Sequence, residues 1–150
     1  VNLISFITLV IAIDYIFNQI FIFIELPNEV FRIPELEALY SENKLLLIVL
    51  GLLIGPLFET FLYQFAIIKI IRLIITDTNK NFFPSILTSA VAFSYSHSYN
   101  IYYVLSAFIG GLIWAIAFYI AIYRKEPAFV VIFIIHMIWN SLSLMTYDFT

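Results

Sequence analysis

The stretch GPLFETFLYQ, residues 55 to 64, decides how this chain folds. It places Glu59 in the middle of an apolar run from Leu45 to Ile75. A carboxylate at membrane depth costs at least about 2–3 kcal/mol on insertion scales, so it needs a partner or a function. Thr60 and Gln64 follow Glu59 and are four residues apart, which makes them neighbours on one face of a helix.

The composition of the whole chain fits such a membrane helix. Of the 150 residues, 63% are hydrophobic and 11% are charged, and the mean hydropathy is +1.04. A soluble domain averages about 25% charged residues, so the sequence predicts an all-α integral membrane protein, a polytopic transmembrane helix bundle. The absence of cysteine excludes disulfides and a cysteine nucleophile. No basic cluster points to nucleic acid, and the richness in Ile, Phe, Tyr and Asn favours a bacterial cytoplasmic membrane.

Five apolar segments predict about five spans. They cover roughly residues 3 to 24, 44 to 75, 83 to 97, 102 to 123 and 127 to 146. As a helix the second would measure about 48 Å, against a hydrocarbon core of about 30 Å. Tilting, a break at Gly55-Pro56 or an extension beyond the membrane must absorb the excess. The predicted division is an N-terminal transmembrane helix with an acidic extracytoplasmic connection, 1 to 43, followed by a helix bundle, 44 to 150, that contains Glu59 and both histidines.

Three local features refine this prediction. The polar TDTNKN, residues 76 to 81, is predicted to be a turn, and Pro84 suits the first turn of the third span. Gly110-Gly111 permits close contact between helices. Asp14 interrupts the first segment without an obvious partner motif, so we interpret it as a residue of helix packing or of a water-facing position.

The distribution of basic residues predicts the orientation. One side of the membrane holds the N-terminus and carries Lys69, Arg72, Lys80, Arg124 and Lys125. The other side carries only two basic residues among five glutamates: Arg32 and Lys44, with Glu25, Glu29, Glu35, Glu37 and Glu42. By the positive-inside rule the N-terminus is cytoplasmic and the C-terminus is outside.

The only two histidines lie in apolar sequence, in FSYSH (Phe93 to His97) and HMIWN (His136 to Asn140). The spacing of four residues puts the members of each pair on one helical face. His97 reaches the depth of Glu59 only if the third span is tilted or sunken. One interpretation is that these polar residues merely pair to hold the bundle together. Hydroxyl groups would do so at a lower insertion cost, which favours a functional site.

The familiar hydrolytic patterns narrow the chemistry of such a site. The sequence has no HExxH motif, no serine between glycines and no pair of intramembrane aspartates. What is left is Glu59 as a general base, with imidazoles and an amide to orient water and stabilise an oxyanion. A proton-coupled transporter is the weaker alternative in so short a chain without an internal repeat.

Three motifs follow one another in the apolar segments: ETFLYQ (Glu59 to Gln64), FSYSH and HMIWN. Over about residues 44 to 146 the chain thereby resembles the CAAX prenyl endopeptidase and bacteriocin-processing, or abortive-infection-type, intramembrane proteases. Their motifs are EExxxR, FxxxH and HxxxN or HxxxD. The resemblance implies an intramembrane endopeptidase that acts on a membrane-associated peptide or protein.

The resemblance also implies roles for the residues. Glu59 activates water, with His97 as its partner. His136 and Asn140 polarise the scissile carbonyl, bind the oxyanion or contribute to a metal site. A divalent metal such as zinc is an open option, with Glu59, His97 and His136 as ligands, because Asn is a poor zinc ligand. A metal-free reaction that depends on the glutamate is the other option.

The chain departs from the family pattern in its first motif. Thr60 and Gln64 stand where the second Glu and the Arg of EExxxR are expected. A hydrogen bond between Thr60 and Gln64 is expected to take the place of that charged pair, with Phe93 as a further supporting residue. The competing class is a non-enzymatic membrane protein, such as a bacteriocin immunity factor or a regulator, that retains the protease scaffold.

Overall fold

The structure, a computed structural model, describes residues 2–23 and 33–147. This part of the chain forms six helices and no strand, which confirms the prediction of an all-α bundle. The helices are α1 (Leu3–Phe23), α2 (Pro34–Glu42), α3 (Lys44–Ile74), α4 (Thr78–Ser96), α5 (Ile101–Tyr123) and α6 (Ala128–Thr146). Glu25, Glu29 and Arg32, which entered the orientation prediction, lie outside the described residues.

Three helices of the described ranges are long and apolar enough to cross a membrane, namely α3, α5 and α6. Helix α1 adds a shorter apolar stretch, Leu3–Gln19. Helix α4 does not belong to this set, since its first turns hold the polar residues Thr78 to Asn81. The chain is therefore an integral membrane helix bundle, and the count of five spans stays a prediction.

Helix α3 runs without a break through Gly55-Pro56, so a break there does not absorb its excess length. Two stretches of wider π-helical turns, Leu50–Ile54 and Thr60–Ile67, interrupt its α-helical geometry. The first stretch ends just before Pro56. In a regular α-helix the ring of a proline clashes with the carbonyl group four residues back, and the residue has no N–H to donate. The Gly55 N–H accordingly donates to the Leu50 carbonyl, five residues back. Widened turns thus accommodate the proline, and such turns often occur at functional sites.

Helix α4 begins earlier than the sequence predicted. The backbone N–H groups of Lys80 and Asn81 donate to the Asp77 carbonyl, and the Asn81 side chain donates to the Ile75 carbonyl. These bonds wind the polar residues from Thr78 onward into the helix, so the predicted turn over 76 to 81 was too long. Pro84 consequently lies inside the helix and not in its first turn.

Helix α2 lies in the acidic connection, where no helix was predicted. It begins with Pro34 at a position where a missing N–H costs nothing. Glu35 and Glu37 in its first turn complement the positive end of the helix dipole. Tyr147, just beyond α6, ties this helix to the bundle: its hydroxyl donates to Glu37 at 3.2 Å and accepts from the Ile33 N–H at 2.9 Å.

The ends of α5 and α6 agree with the prediction. The Asn100 side chain caps α5 by accepting from the N–H groups of Tyr102 and Tyr103, and Pro127 directly precedes α6. The Arg124 guanidinium lies 5.0 Å from the centre of the Phe6 ring. The beginning of α1 and the α5–α6 turn are therefore at the same end of the bundle, as the alternation of spans requires.

The glycine pair in α5 does allow close contact, as predicted. A Cβ on Gly111 would lie 3.1 Å from the Ala90 Cα and 3.2 Å from a ring carbon of Phe93, both on α4. A Cβ on Gly51 of α3 would meet nothing within 4 Å. At Gly111 the backbones of α4 and α5 are therefore so close that a side chain larger than hydrogen would crowd α4.

We expect Gly111→Ala to melt at a lower temperature in detergent than Gly51→Ala. Both substitutions gain about 1 kcal/mol of helix propensity. Only Gly111→Ala forces two backbones apart, and such overpacking costs about 1–3 kcal/mol. Thermal unfolding of the two variants beside the wild type measures the difference. Equal melting temperatures would show that α4 and α5 are not held in this close contact.

The orientation prediction can be tested with single cysteines, because the chain has none of its own. Ser41 at the end of α2 and Thr78 at the start of α4 are both exposed. In intact cells, Ser41→Cys should react with an impermeant maleimide added from outside. Thr78→Cys should react only after the membrane is opened. Labelling of both from the same side would contradict the predicted arrangement of the spans.

Candidate functional site

One carboxylate and both histidines meet in the interior of the bundle. Oε2 of Glu59, on α3, lies 3.7 Å from Nε2 of His97 and 3.4 Å from Nε2 of His136. His97 directly follows α4, and His136 is on α6. Three segments distant in sequence therefore bring their polar groups to one point, as the sequence predicted.

The Glu59 side chain is partly exposed and lies between two irregular stretches of α3. Glu59 stands between the two π-helical stretches of α3, and 31% of its side-chain surface is exposed. Its other carboxylate oxygen, Oε1, points back along the helix towards Gly55, where a Cβ would lie 3.7 Å away. One carboxylate oxygen thus faces the two imidazoles, and the other lies beside Gly55.

His97 is oriented by the backbone of the preceding helix, α4. Its Nδ1 lies 2.8 Å from the Phe93 carbonyl oxygen, and the ring packs on the Phe93 side chain at a centroid distance of 4.4 Å. A carbonyl oxygen only accepts, so Nδ1 carries the proton of this hydrogen bond. In the neutral ring Nε2 is then an acceptor that faces Glu59. The FxxxH spacing thus makes a single structural unit, with Phe93 as backbone acceptor and ring support.

His136 is held from two sides and is nearly inaccessible. Its side chain is 2% exposed, and its Nδ1 lies 3.3 Å from the Thr60 hydroxyl. The Trp114 indole packs against the imidazole with ring centres 4.2 Å apart. With the Thr60 hydroxyl as donor to Nδ1, the Nε2 proton points to Glu59. The two Nε2 atoms that face Glu59 then differ: that of His97 is a hydrogen-bond acceptor and that of His136 is a donor.

The prediction of a hydrogen bond between Thr60 and Gln64 is wrong. Thr60 contacts His136 instead. The fully buried Gln64 amide has no hydrogen-bond partner among the described protein groups. Both residues lie in the second π-helical stretch, whose wider turns change the relation between positions four residues apart. Thr60 is therefore a supporting residue of the site by direct contact, while no such contact supports Gln64.

This difference predicts unequal effects of two conservative substitutions. Thr60→Val keeps the shape but removes the hydroxyl next to His136, so we expect about a 3- to 10-fold loss of any activity that depends on His136. Gln64→Met keeps the length and removes an amide without a protein partner, so it should leave activity within about twofold and stability unchanged or higher. Steady-state rates and melting temperatures check both. A larger loss in Gln64→Met would reverse the assignment.

Asn140 lies one helical turn beyond His136 but faces the backbone of α3. Its amide nitrogen donates to the Gly51 carbonyl oxygen at 2.9 Å. Gly51 belongs to the first π-helical stretch, where the backbone hydrogen bonds are rearranged. Asn140 therefore joins α6 to α3 beside the site, and its predicted part in oxyanion binding stays a prediction.

A second carboxylate, which is fully buried, lies behind the site. Asp14 on α1 is 1% exposed and accepts a hydrogen bond from the Trp114 indole at 2.8 Å. Of the two interpretations of Asp14, helix packing is the one that the structure supports. Nothing in the local sequence around Asp14 predicts its partner, because Trp114 is 100 positions away.

The residues fit a metal ion only in part. The 3.4 Å and 3.7 Å separations resemble those between two donors on one zinc ion, whose bonds are about 2.0–2.1 Å long. However, no group of three His, Asp or Glu side chains within residues 2–23 and 33–147 is arranged to hold a metal ion. As they stand, the three side chains do not form a closed metal site.

Comparison with known protein families gives a match. The protein-family model described as type II CAAX prenyl endopeptidase Rce1-like matches residues 41–142. This range contains Glu59, His97, His136 and Asn140 and begins after α1. No curated protein and no solved structure shows significant similarity to the chain.

Proposed function

The chain belongs to the type II CAAX prenyl endopeptidase Rce1-like family, and from this premise we propose that it hydrolyses a peptide bond within or near the bilayer with Glu59 as general base. The family supports a scaffold of the CAAX-protease type. The substrate class that fits is a membrane-associated peptide or protein. A bacterial cytoplasmic membrane with the N-terminus inside is the proposed location.

One observation carries the proposal. The Glu59 carboxylate lies within 3.4 Å and 3.7 Å of two imidazole nitrogens that come from two other segments of the bundle. A single water molecule can reach groups at such separations by ordinary hydrogen bonds of about 2.8 Å. Helix packing alone requires no partly exposed carboxylate between two imidazoles, whereas activation of water does.

The reaction uses the complementary histidines. The carboxylate of Glu59 takes a proton from water while the water oxygen bonds to the scissile carbonyl carbon. The acceptor nitrogen of His97 orients that water, because its Nδ1 proton is bound to the Phe93 carbonyl. When the tetrahedral intermediate collapses, the C–N bond breaks and the proton passes from Glu59 to the leaving amine. The net change is the addition of one water across the peptide bond.

Charge on the carbonyl oxygen needs a donor in the transition state. His136 supplies one through its Nε2 N–H, shared between Glu59 and the carbonyl oxygen, when the Thr60 hydroxyl donates to Nδ1. Asn140 has a second amide N–H beside the one bound to the Gly51 carbonyl, and in this proposal it is a further donor. Donors that are already oriented by such partners stabilise an oxyanion without reorganisation.

A divalent ion such as zinc stays a separate proposal. Glu59, His97 and His136 would hold it, and when bound it would polarise the carbonyl and activate water. If zinc takes part, dialysis of the purified protein against a chelator should abolish activity and added Zn²⁺ should restore it. Activity that is unchanged by the chelator would leave the reaction to the side chains and water alone.

The test of the function is a cleavage assay on the purified protein. The protein is reconstituted into liposomes with a set of membrane-associated peptides in water enriched in ¹⁸O, and the products are analysed by mass spectrometry. We expect two fragments from one substrate, with a single ¹⁸O in the new carboxyl group. Wild-type protein that is folded but cleaves no peptide of a broad set, and none in cell membranes, would overturn the proposal.

A further inference from the structure

The polar groups on α1 lie outside the region that matches the family, which begins at residue 41. Asp14 is the most buried of them, with 1% of its surface exposed. Its Oδ2 accepts the Trp114 indole N–H at 2.8 Å. The carboxylate packs beside the backbone of α5, since a Cβ on Gly110 would be in ordinary contact with Oδ1, at 3.6 Å. A buried hydrogen bond between Trp114 and Asp14 thus joins α5 to α1.

The indole is in turn part of the wall of the candidate site. Its ring centre lies 4.2 Å from that of His136 and 5.3 Å from that of Phe93. The Phe93 ring contacts His97 at 4.4 Å and His136 at 6.0 Å. A rotation of the indole would therefore disturb the packing of His136 directly and that of His97 through the Phe93 ring.

A merely structural bond between α1 and α5 would not require a carboxylate. The same two helices are already joined by the Ser106 hydroxyl, which donates to the Asn18 side chain at 2.9 Å. That neutral bond joins the helices without burying an acid, which is costly at membrane depth. Asp14 accepts from two side chains, the Asn18 amide at 3.4 Å and the Trp114 indole at 2.8 Å. The feature that distinguishes Asp14 is that the second of these donors, Trp114, touches His136.

We propose that Asp14 is a positioning residue for the site: by binding the Trp114 indole N–H it fixes the ring that holds His136 in line with Glu59. The proposal rests on the proposed function for its effect on catalysis. The first helix is thereby a working part of the site, although it lies before the residues that match the family. Asp14 itself acts through Trp114 and does not touch the reacting atoms.

The kinetic test compares three variants of the full chain in liposomes. Asp14→Ala leaves the indole without its acceptor, so kcat should fall about 10-fold while KM stays within about twofold. Asp14→Asn keeps an oxygen acceptor and should restore most of kcat. Ser106→Ala removes the bond to Asn18 but retains the bond between Trp114 and Asp14, so kcat should stay unchanged. Equal losses in Asp14→Ala and Ser106→Ala, in line with their stability, would overturn the proposal.

A spectroscopic test is independent of turnover. The chain has two histidines and two tryptophans, so selective ¹⁵N or ¹³C labelling gives spectra with few signals. The His136 ring signal and the Trp114 indole signal should both shift in Asp14→Ala, whereas the His136 signal should stay in place in Ser106→Ala. An unmoved His136 signal in folded Asp14→Ala would refute the positioning role even if no substrate were ever cleaved.

Trp114→Phe provides a second variant if Asp14→Ala does not fold. It keeps an aromatic ring in the wall and removes the N–H that Asp14 accepts. Its kcat should fall as in Asp14→Ala, with a shifted His136 signal. Wild-type kcat in Trp114→Phe would contradict the proposal, because the indole N–H would then be dispensable.

Discussion

Glu59→Gln should abolish peptide hydrolysis, with a loss of well over about 10²-fold, the usual scale for removing a general base. The substitution preserves the length and shape of the side chain and retains an oxygen that can accept from His136. It removes the ability to take a proton from water. Because the fold does not need that ability, the yield and the melting temperature in detergent should change little.

The matched control for Glu59→Gln is Glu42→Gln. Glu42 is an exposed glutamate at the end of α2, so the same chemical change there should leave the rate unaltered. If a biological effect such as immunity survives in cells that carry Glu59→Gln, the enzymatic function is wrong and a non-enzymatic scaffold protein is the better account. Residual cleavage near the wild-type rate in the purified variant would contradict the role of Glu59 directly.

The second large effect concerns His97. His97→Ala should lower kcat by about 10²- to 10⁴-fold, because the nitrogen that faces Glu59 at 3.7 Å is lost. If both residues act on one water, the double variant Glu59→Gln with His97→Ala should be hardly slower than Glu59→Gln alone, since members of one catalytic unit are not additive.

Ser94→Ala is the control for the loss of a polar side chain near the end of α4. Its hydroxyl donates to the Val91 carbonyl of the same helix and not to Glu59 or a histidine, so the rate of this variant should stay within about twofold of the wild type. If the rate loss of the double variant equals the product of the two single losses, Glu59 and His97 act in independent steps.

Local spacing predicted part of the site correctly. The four-residue interval predicted that Phe93 and His97 share one face, and the hydrogen bond between the Phe93 carbonyl and Nδ1 depends on that interval. The depth of Glu59 within its span predicted a partner in another apolar segment. The same rule failed for Thr60 and Gln64, because it assumes regular α-helical turns and these residues lie in a π-helical stretch.

The predicted helix boundaries were wrong where hydrogen bonds, and not the hydrophobic pattern, decide the backbone conformation. The polar residues 76 to 81 were predicted to be a turn, but hydrogen bonds to the Asp77 and Ile75 carbonyls bring most of them into α4. Helix α2 was not predicted, since its short acidic sequence has too few apolar residues to show a helical period. In both places the deciding interactions involve hydrogen bonds that a pattern of hydrophobic residues does not contain.

The sequence by itself determined that this is an α-helical membrane protein and that Glu59, His97 and His136 lie within its apolar segments. Hydrophobicity and helical repeat depend only on neighbouring residues, so they can be read along the chain. Only the tertiary structure decided that Thr60 contacts His136, 76 positions away, and that Asp14 binds Trp114, 100 positions away. Such pairs arise when whole helices pack, because shape and close approach at points such as Gly111 set which faces meet.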